Sequence, residues 1–356
     1  MQKKIVIFAL SLILIIMFSS TIMAQSLKVG FVYNGSVGDA GWTYSHELGR
    51  QHLEATFPEI ETTYIESVPE GSESIQILES LARRDFDLIF TTSFGYMNQT
   101  LEMANKYPDV IFEHCSGYKT ADNMGNYFGR MYQARYLTGI VAGHMTESNQ
   151  VGFVAAHPIP EVIRGINSFT LGVLKANPEA EVNVIWTNSW YDPAGEKEAA
   201  LSLIDLGADV IAQHQNTPGP QQAAEERGVY SIGYNLDMSE FAPNAHLTSP
   251  IWKWGMIYEE IVRDVMNDSW KPEAIWYGLE IGAVDIAPFG PMVPDEVQTE
   301  VAEAREAIVS GDFKVFEGPI YDQDGNLIVS ENEAMSDDDI WQMNIFVEGV
   351  KGELPE

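Results

Sequence analysis

From Leu27 to Tyr234 the chain repeats one pattern: a short apolar run, a turn, then an amphipathic stretch of helical period. Leu27 to Tyr33 (LKVGFVY) reads as a buried strand, and Gly41 to about Thr56 as a helix. Ile60 to Val68 is β-like, and Ser72 to Arg84 is helical with Ile75, Leu78 and Leu81 on one face. Asp87 to Thr92 is a strand, followed by a helix to Lys106 and a fourth strand from Asp109 to His114. Strands separated by helices of this length pair in parallel, because the helix supplies the crossover that a parallel partner requires.

A second series follows a helix at about Met131 to Thr146. Its strands are Gln150–Ala155, Glu181–Thr187, Asp209–Gln213 and Tyr230–Tyr234. Helices at Glu161–Ala176, Ala194–Leu206 and Gln221–Arg227 separate them. Arg84-Asp85-Phe86-Asp87-Leu88-Ile89-Phe90 and Leu206-Gly207-Ala208-Asp209-Val210-Ile211-Ala212 occupy matching places in the two series, each leading from a helix into a buried strand. The pattern predicts two similar α/β lobes. Ile251 to Met266 is expected to be a helix returning toward the first lobe. Ala283 to Pro288 and Lys314 to Val329 are late β pieces around a helix at Asp295 to Ser310, and Ser336 to Asp339 caps a last short helix. The expected division is 25–130 plus about 251–282 for lobe 1, and 131–250 plus about 283–356 for lobe 2. No low-complexity linker separates them, so several extended crossings form the hinge. Ligands of open α/β sheets sit beyond the carboxyl ends of the strands, so two facing lobes define a cleft that closes by hinge motion.

Lys3 and Lys4 precede an apolar run from Ile5 to about Phe18, and small and polar residues then lead to Ala24. Residues 1–24 are therefore expected to be a cleaved signal peptide, the run being shorter than the ~20 residues of a spanning helix. The mature chain still exceeds the ~250–300 residues at which one core stops growing, in keeping with two lobes. No cysteine stands at the cleavage point, so a periplasmic or secreted, soluble protein without a lipid anchor is expected. Cys115 is the single cysteine; it excludes an internal disulfide and reads as a buried thiol.

With 20 Lys and Arg against 52 Asp and Glu, the net charge of −32 excludes nucleic acid and anionic membrane surfaces as partners. Enzyme signatures are missing: the chain has no P-loop, Gly-x-Gly-x-x-Gly, His-Glu-x-x-His or Gly-x-Ser-x-Gly. The seven histidines show no metal-ligand spacing, and no cofactor or metal is implied. Asp322-Gln323-Asp324-Gly325-Asn326 has its glycine misplaced for a calcium loop and reads as a hairpin turn.

The strand ends carry the information. After the first strand, Gly38-Asp39-Ala40-Gly41-Trp42 places an indole at a helix start, with Asp39 either a ligand acceptor or a helix cap. Ser93-Phe94-Gly95-Tyr96 follows the third strand. In the second lobe, Asn188-Ser189-Trp190-Tyr191-Asp192-Pro193, His214-Gln215-Asn216 and Tyr234-Asn235-Leu236-Asp237 follow successive strands. Pro250-Ile251-Trp252 crosses back. Asp39, Trp42, Phe94, Tyr96, Trp190, Asn216, Asp237 and Trp252 are the candidate ligand-binding residues. Aromatic rings beside amides and carboxylates suit a flat, nitrogen-bearing ligand, with sugars as the rival class.

At these loops, together with Tyr127-Phe128-Gly129-Arg130 and Gly318-Pro319-Ile320, the chain resembles the basic membrane protein (BMP) family of ABC-transporter substrate-binding proteins. The resemblance is collinear over essentially the whole mature chain. It implies a type I periplasmic-binding-protein fold, with two Rossmann-like lobes and a multi-strand hinge. It also implies delivery of a purine base or nucleoside to an ABC permease in the inner membrane. By the same resemblance, Trp42 stacks on the ring and Asp237 holds ribose hydroxyls. The family's Asp-x-Ser-Phe-Asn is absent after the first strand, and Trp252 stands near a place where a lysine is usual, which fits a base better than a nucleoside. A monomer is expected. A secreted sensor subunit with the same fold is the alternative, and a nucleoside hydrolase lacks any recognisable nucleophile or metal set.

Overall fold

A computed structural model describes residues 26–355, and the predicted signal segment lies outside them. The first lobe is laid down by β1 (Lys28–Val32), α1 (Trp42–Thr56), β2 (Glu61–Ile65), α2 (Ser72–Ala82), β3 (Leu88–Thr91), α3 (Met97–Lys106), β4 (Ile111–Cys115) and β5 (Met124–Gly129). All its strand pairs are parallel, in the order β2-β1-β3-β4-β5. The sheet is covered by helices, so β3 and β5 are buried at every residue. That is why β3 reads as a continuous apolar run rather than an alternating one.

The chain then crosses into α4 (Met131–Met145) and β6 (Gln150–Ala155). There follow α5 (Pro160–Ala176), β7 (Glu181–Trp186), α6 (Pro193–Asp205), β8 (Val210–His214), α7 (Gly219–Arg227), β9 (Tyr230–Ile232) and β10 (His246–Thr248). Their order is β7-β6-β8-β9-β10, again all parallel. The two sheets are thus wound identically, and each reverses direction beside its first strand, at β1/β3 and at β6/β8. This topological switch point leaves a crevice at the strands' carboxyl ends. α4 and α5 approach very closely, because a Cβ on Gly139 would lie 2.1 Å from the Phe169 carbonyl and one on Gly172 2.1 Å from the Tyr136 carbonyl.

Two later crossings complete the hinge. β11 (Pro250–Trp252) leads into α8 (Trp254–Met266), which packs on α1, and β12 (Ala274–Tyr277) then extends the first sheet beside β5. β13 (Val284–Ile286) returns antiparallel to β11 and leads to α9 (Asp295–Ser310), which packs on α4. β14 (Ile320–Tyr321) and β15 (Leu327–Val329) form the expected hairpin, with Gly325 at φ +80° in its turn. Ser336 caps α10 (Asp337–Trp341) in a reciprocal capping box with Asp339, and β16 (Val350–Lys351) adds to the second sheet beside β7.

The helix expected from Ile251 begins at Trp254 instead, since residues 250–252 pair with residues 284–286. Among the described residues no helix is long and apolar enough to cross a membrane.

Candidate functional site

The crevices of the two sheets face each other across a cavity of about 250 Å³. An apolar cavity of ~150 Å³ takes a single benzene ring, so this volume suits a ligand of about two fused rings. Lobe 1 contributes Asn34 after β1, Glu70 after β2, Ser93, Phe94 and Gly95 after β3, and Ser116 after β4. Lobe 2 contributes His157 and Ile159 after β6, Trp190 after β7, His214 and Asn216 at the end of β8, and Tyr234 after β9. Two helix starts close the ring, Trp42 on α1 and Glu161 on α5. The placement follows from the winding, because every one of these residues stands at or just past a strand's carboxyl end or at the helix start that follows one.

Four of the eight candidates from the sequence lie on this wall: Trp42, Phe94, Trp190 and Asn216. Trp42 is fixed by its indole N–H, which donates to the Thr92 carbonyl at 2.8 Å, and by edge contacts with His46 and Trp254 at 4.6 and 5.3 Å between centroids. Trp190 comes from the other lobe, is 37% exposed and packs edge-on against His157 at 5.1 Å. Phe94 is 55% exposed at the cleft rim. Asn216 accepts from the Asn235 amide at 3.1 Å.

The other four stand elsewhere. Asp39 spends both carboxylate oxygens on the start of α1, accepting from the Gly41, Thr43 and Tyr44 amides at 2.8–3.0 Å. Burial raises its pKa, against those hydrogen bonds, which lower it. It caps a helix rather than facing the cavity. Tyr96 is fully buried, and its hydroxyl donates to the Val68 carbonyl. Trp252 is 5% exposed, donates to the Asn235 side-chain oxygen at 3.1 Å and meets Trp42 at 90°, so it backs the wall from behind. Asp237 lies off the cavity, where it accepts from the Ser239 amide at 2.9 Å and stands 3.6 Å from His246.

Sequence reasoning missed the polar end of the cavity. His214 Nε2 lies 3.1 Å from the Tyr234 hydroxyl and 3.7 Å from Glu161 Oε1, the latter too far for a direct hydrogen bond. Burial pushes the His214 pKa down to about 4, so the imidazole is neutral at physiological pH. Behind it, the fully buried Arg135 donates to the Gln213 carbonyl at 2.6 Å and lays its guanidinium 4.0 Å above the Tyr234 ring. Burial lowers its pKa to about 10, while Tyr234 and Glu161 oppose that shift, and it stays cationic. Arg164 on α5 is also buried and lies over Trp341, Trp276 and Phe128 at 5.0–5.7 Å, where Phe128 and Trp276 belong to the first sheet. The signal available in the sequence was position alone: Glu70, Glu161 and His157 follow strands, but nothing local marks them. On the wall the Ser93 hydroxyl donates to the Glu70 carboxylate, a pair that ties the loops after β2 and β3 to each other. Rings, amides and carboxylates in this arrangement suit the binding and orientation of a ligand.

The lobes meet at the cleft edge. A Cβ on Gly41 would lie 2.6 Å from the Asn216 carbonyl oxygen and 2.8 Å from its Cα, so backbone from lobe 1 rests on backbone from lobe 2.

Residues 26–317 match the family model for PnrA-like ABC transporter substrate-binding proteins. The chain is 44% identical to the purine-binding protein of Brucella abortus, covering 93% of this chain and 95% of that one. It is 41% identical to TsgA13 of Haloferax volcanii, named for ABC-transporter glucose binding, over 93% of this chain and 82% of that one. The solved ABC-transporter solute-binding protein from Conexibacter woesei superposes with a TM-score of 0.71 at 22% identity, over 81% of this chain and 98% of that one. The chain belongs to the Bmp family of PnrA-like ABC transporter substrate-binding proteins, which capture small-molecule ligands and are not enzymes.

Proposed function

We propose that this protein is the periplasmic capture component of an ABC importer, and that its cargo is a purine base held between the lobes. The observation that carries the reading is the cavity of about 250 Å³ with one indole from each lobe on its wall, Trp42 and Trp190. Indole faces stack on flat heteroaromatic rings, and each base–aromatic stack is worth roughly 1–3 kcal/mol. The amides, hydroxyls and carboxylates among them match the polar edge of a base. The 44%-identical purine-binding relative supports the same ligand class. Closure by the hinge buries the base and presents the two lobe faces to the permease. A mature, monomeric chain released by cleavage of residues 1–24 fits this role.

A sugar is the second reading, favoured by the 41%-identical relative named for glucose binding and by the affinity of indole faces for pyranose rings. A secreted sensor subunit would use the same cleft. Titration calorimetry with adenine, guanine, hypoxanthine, adenosine and glucose separates the ligand classes. Saturable binding of a purine with no heat from glucose is expected, and the reverse would overturn the reading.

A further inference from the structure

Glu161 opens α5 and is the one lobe 2 carboxylate on the cavity wall, with its side chain 21% exposed. Among the described residues it accepts no hydrogen bond, and His214 Nε2 stands 3.7 Å from its Oε1. Its charge faces Arg135 and Arg164, two buried guanidiniums that it stabilises in their cationic form. The same residues line a second, water-sized cavity of about 10 Å³ behind the first, together with Gly165 and Tyr234. The floor of the cleft therefore holds two buried cations at depth, with the partly exposed Glu161 carboxylate in front of them and free of any hydrogen bond among the described residues.

Resting on the purine reading above, we propose that Glu161 is the specificity-determining residue and that it selects a base presenting two adjacent N–H donors on one edge. A carboxylate accepts only, and a flat pair of parallel N–H groups matches its two oxygens. Guanine offers such a pair in its ring N1–H and exocyclic amino group. Adenine's amino group is flanked by ring-nitrogen acceptors, so a carboxylate that takes its N–H also meets a lone pair. Inside a cleft shielded from water that repulsion is poorly screened, and a carboxylate left unpaired beneath a bound ligand is costly.

The test is titration calorimetry of the full-length mature protein with guanine, 1-methylguanine and adenine, repeated on Glu161→Gln. Guanine is expected to bind about 10- to 100-fold more tightly than either of the others, the worth of one charge-assisted hydrogen bond. In Glu161→Gln the preference falls to within about threefold, because one carboxylate oxygen has become a donor. Equal binding of guanine and 1-methylguanine by the unmodified protein overturns the proposal without needing the variant. So does a preference that survives in Glu161→Gln. Both outcomes leave the purine reading standing. If the unmodified protein binds no purine, that reading fails and the role of Glu161 fails with it.

Discussion

Gly41 tests whether the contact between the lobes belongs to the ligand-bound state. Gly41→Ala adds one methyl group whose carbon would sit 2.6 Å from the Asn216 carbonyl oxygen, 2.8 Å from its Cα and 2.9 Å from its carbonyl carbon. Carbon contacts are favourable at ~3.5–4.0 Å, so the lobes must separate locally by nearly 1 Å. The obstructing atoms are backbone, and no rotamer change relieves them. Overpacking of one methyl group typically costs about 1–3 kcal/mol. Here the cost falls on the closed arrangement alone, because opening the hinge removes the clash and leaves both lobes folded. Ligand affinity is expected to fall about 5- to 150-fold, mostly through a lower population of the closed state. The ligand-free Tm should stay within about 2 °C, since each lobe's core is untouched. Titration calorimetry with thermal melting of the free protein measures both. Unchanged affinity in Gly41→Ala would refute the claim that this contact forms when ligand is bound. A large loss of ligand-free Tm would show that Gly41 is needed for folding instead.

Three further outcomes follow from the same structure. Trp42→Ala and Trp190→Ala are each expected to weaken purine binding by about 1–3 kcal/mol, and a calorimetric change of less than twofold for either removes that ring from the stack. Asp39→Asn keeps one acceptor at the start of α1, so it should lower Tm by a loss of up to about 1–2 kcal/mol of capping and leave affinity within about twofold; a large affinity loss with intact Tm would restore Asp39 as a ligand contact. Burial raises the Glu113 pKa to about 8 while Trp270 donates to it at 2.8 Å, so the folded state holds a proton that the unfolded state releases above its ordinary carboxylate pKa. Stability from this group is present below about pH 4.5 and is lost as pH rises to about 8, so the Tm of Glu113→Gln should gain on the native protein between pH 5 and pH 8, and a pH-independent difference would contradict the assignment.

The doubly wound lobes were legible because β1, β3, β6 and β8 are apolar runs set between helical periods. β5 was not, since Met124-Gly125-Asn126-Tyr127-Phe128-Gly129 carries two glycines and an asparagine that disfavour strands in isolation. It is a strand because β4 and β12 flank it on either side. β10 and β16 are too short to show any period. Trp42 and Trp190 were found because an aromatic ring after a strand is conspicuous by type. Tyr96 and Trp252 are equally conspicuous, yet both are buried behind the wall, and only the packing of their neighbours decides which way such a ring faces. Glu161 was hidden for the opposite reason. An acid in the first turn of a helix is ordinary chemistry for a helix dipole, and its role depends on Arg135 and His214, which are distant in sequence.

The central claim is that the cleft takes a purine base between Trp42 and Trp190. Titration calorimetry of the mature protein, freed of co-purifying ligand by unfolding and refolding, with a purine base and with glucose in parallel, tests it most directly. The account predicts saturable binding of one base per chain, no heat with glucose, and loss of affinity in Trp42→Ala. Saturable glucose binding with no response to any purine would contradict it.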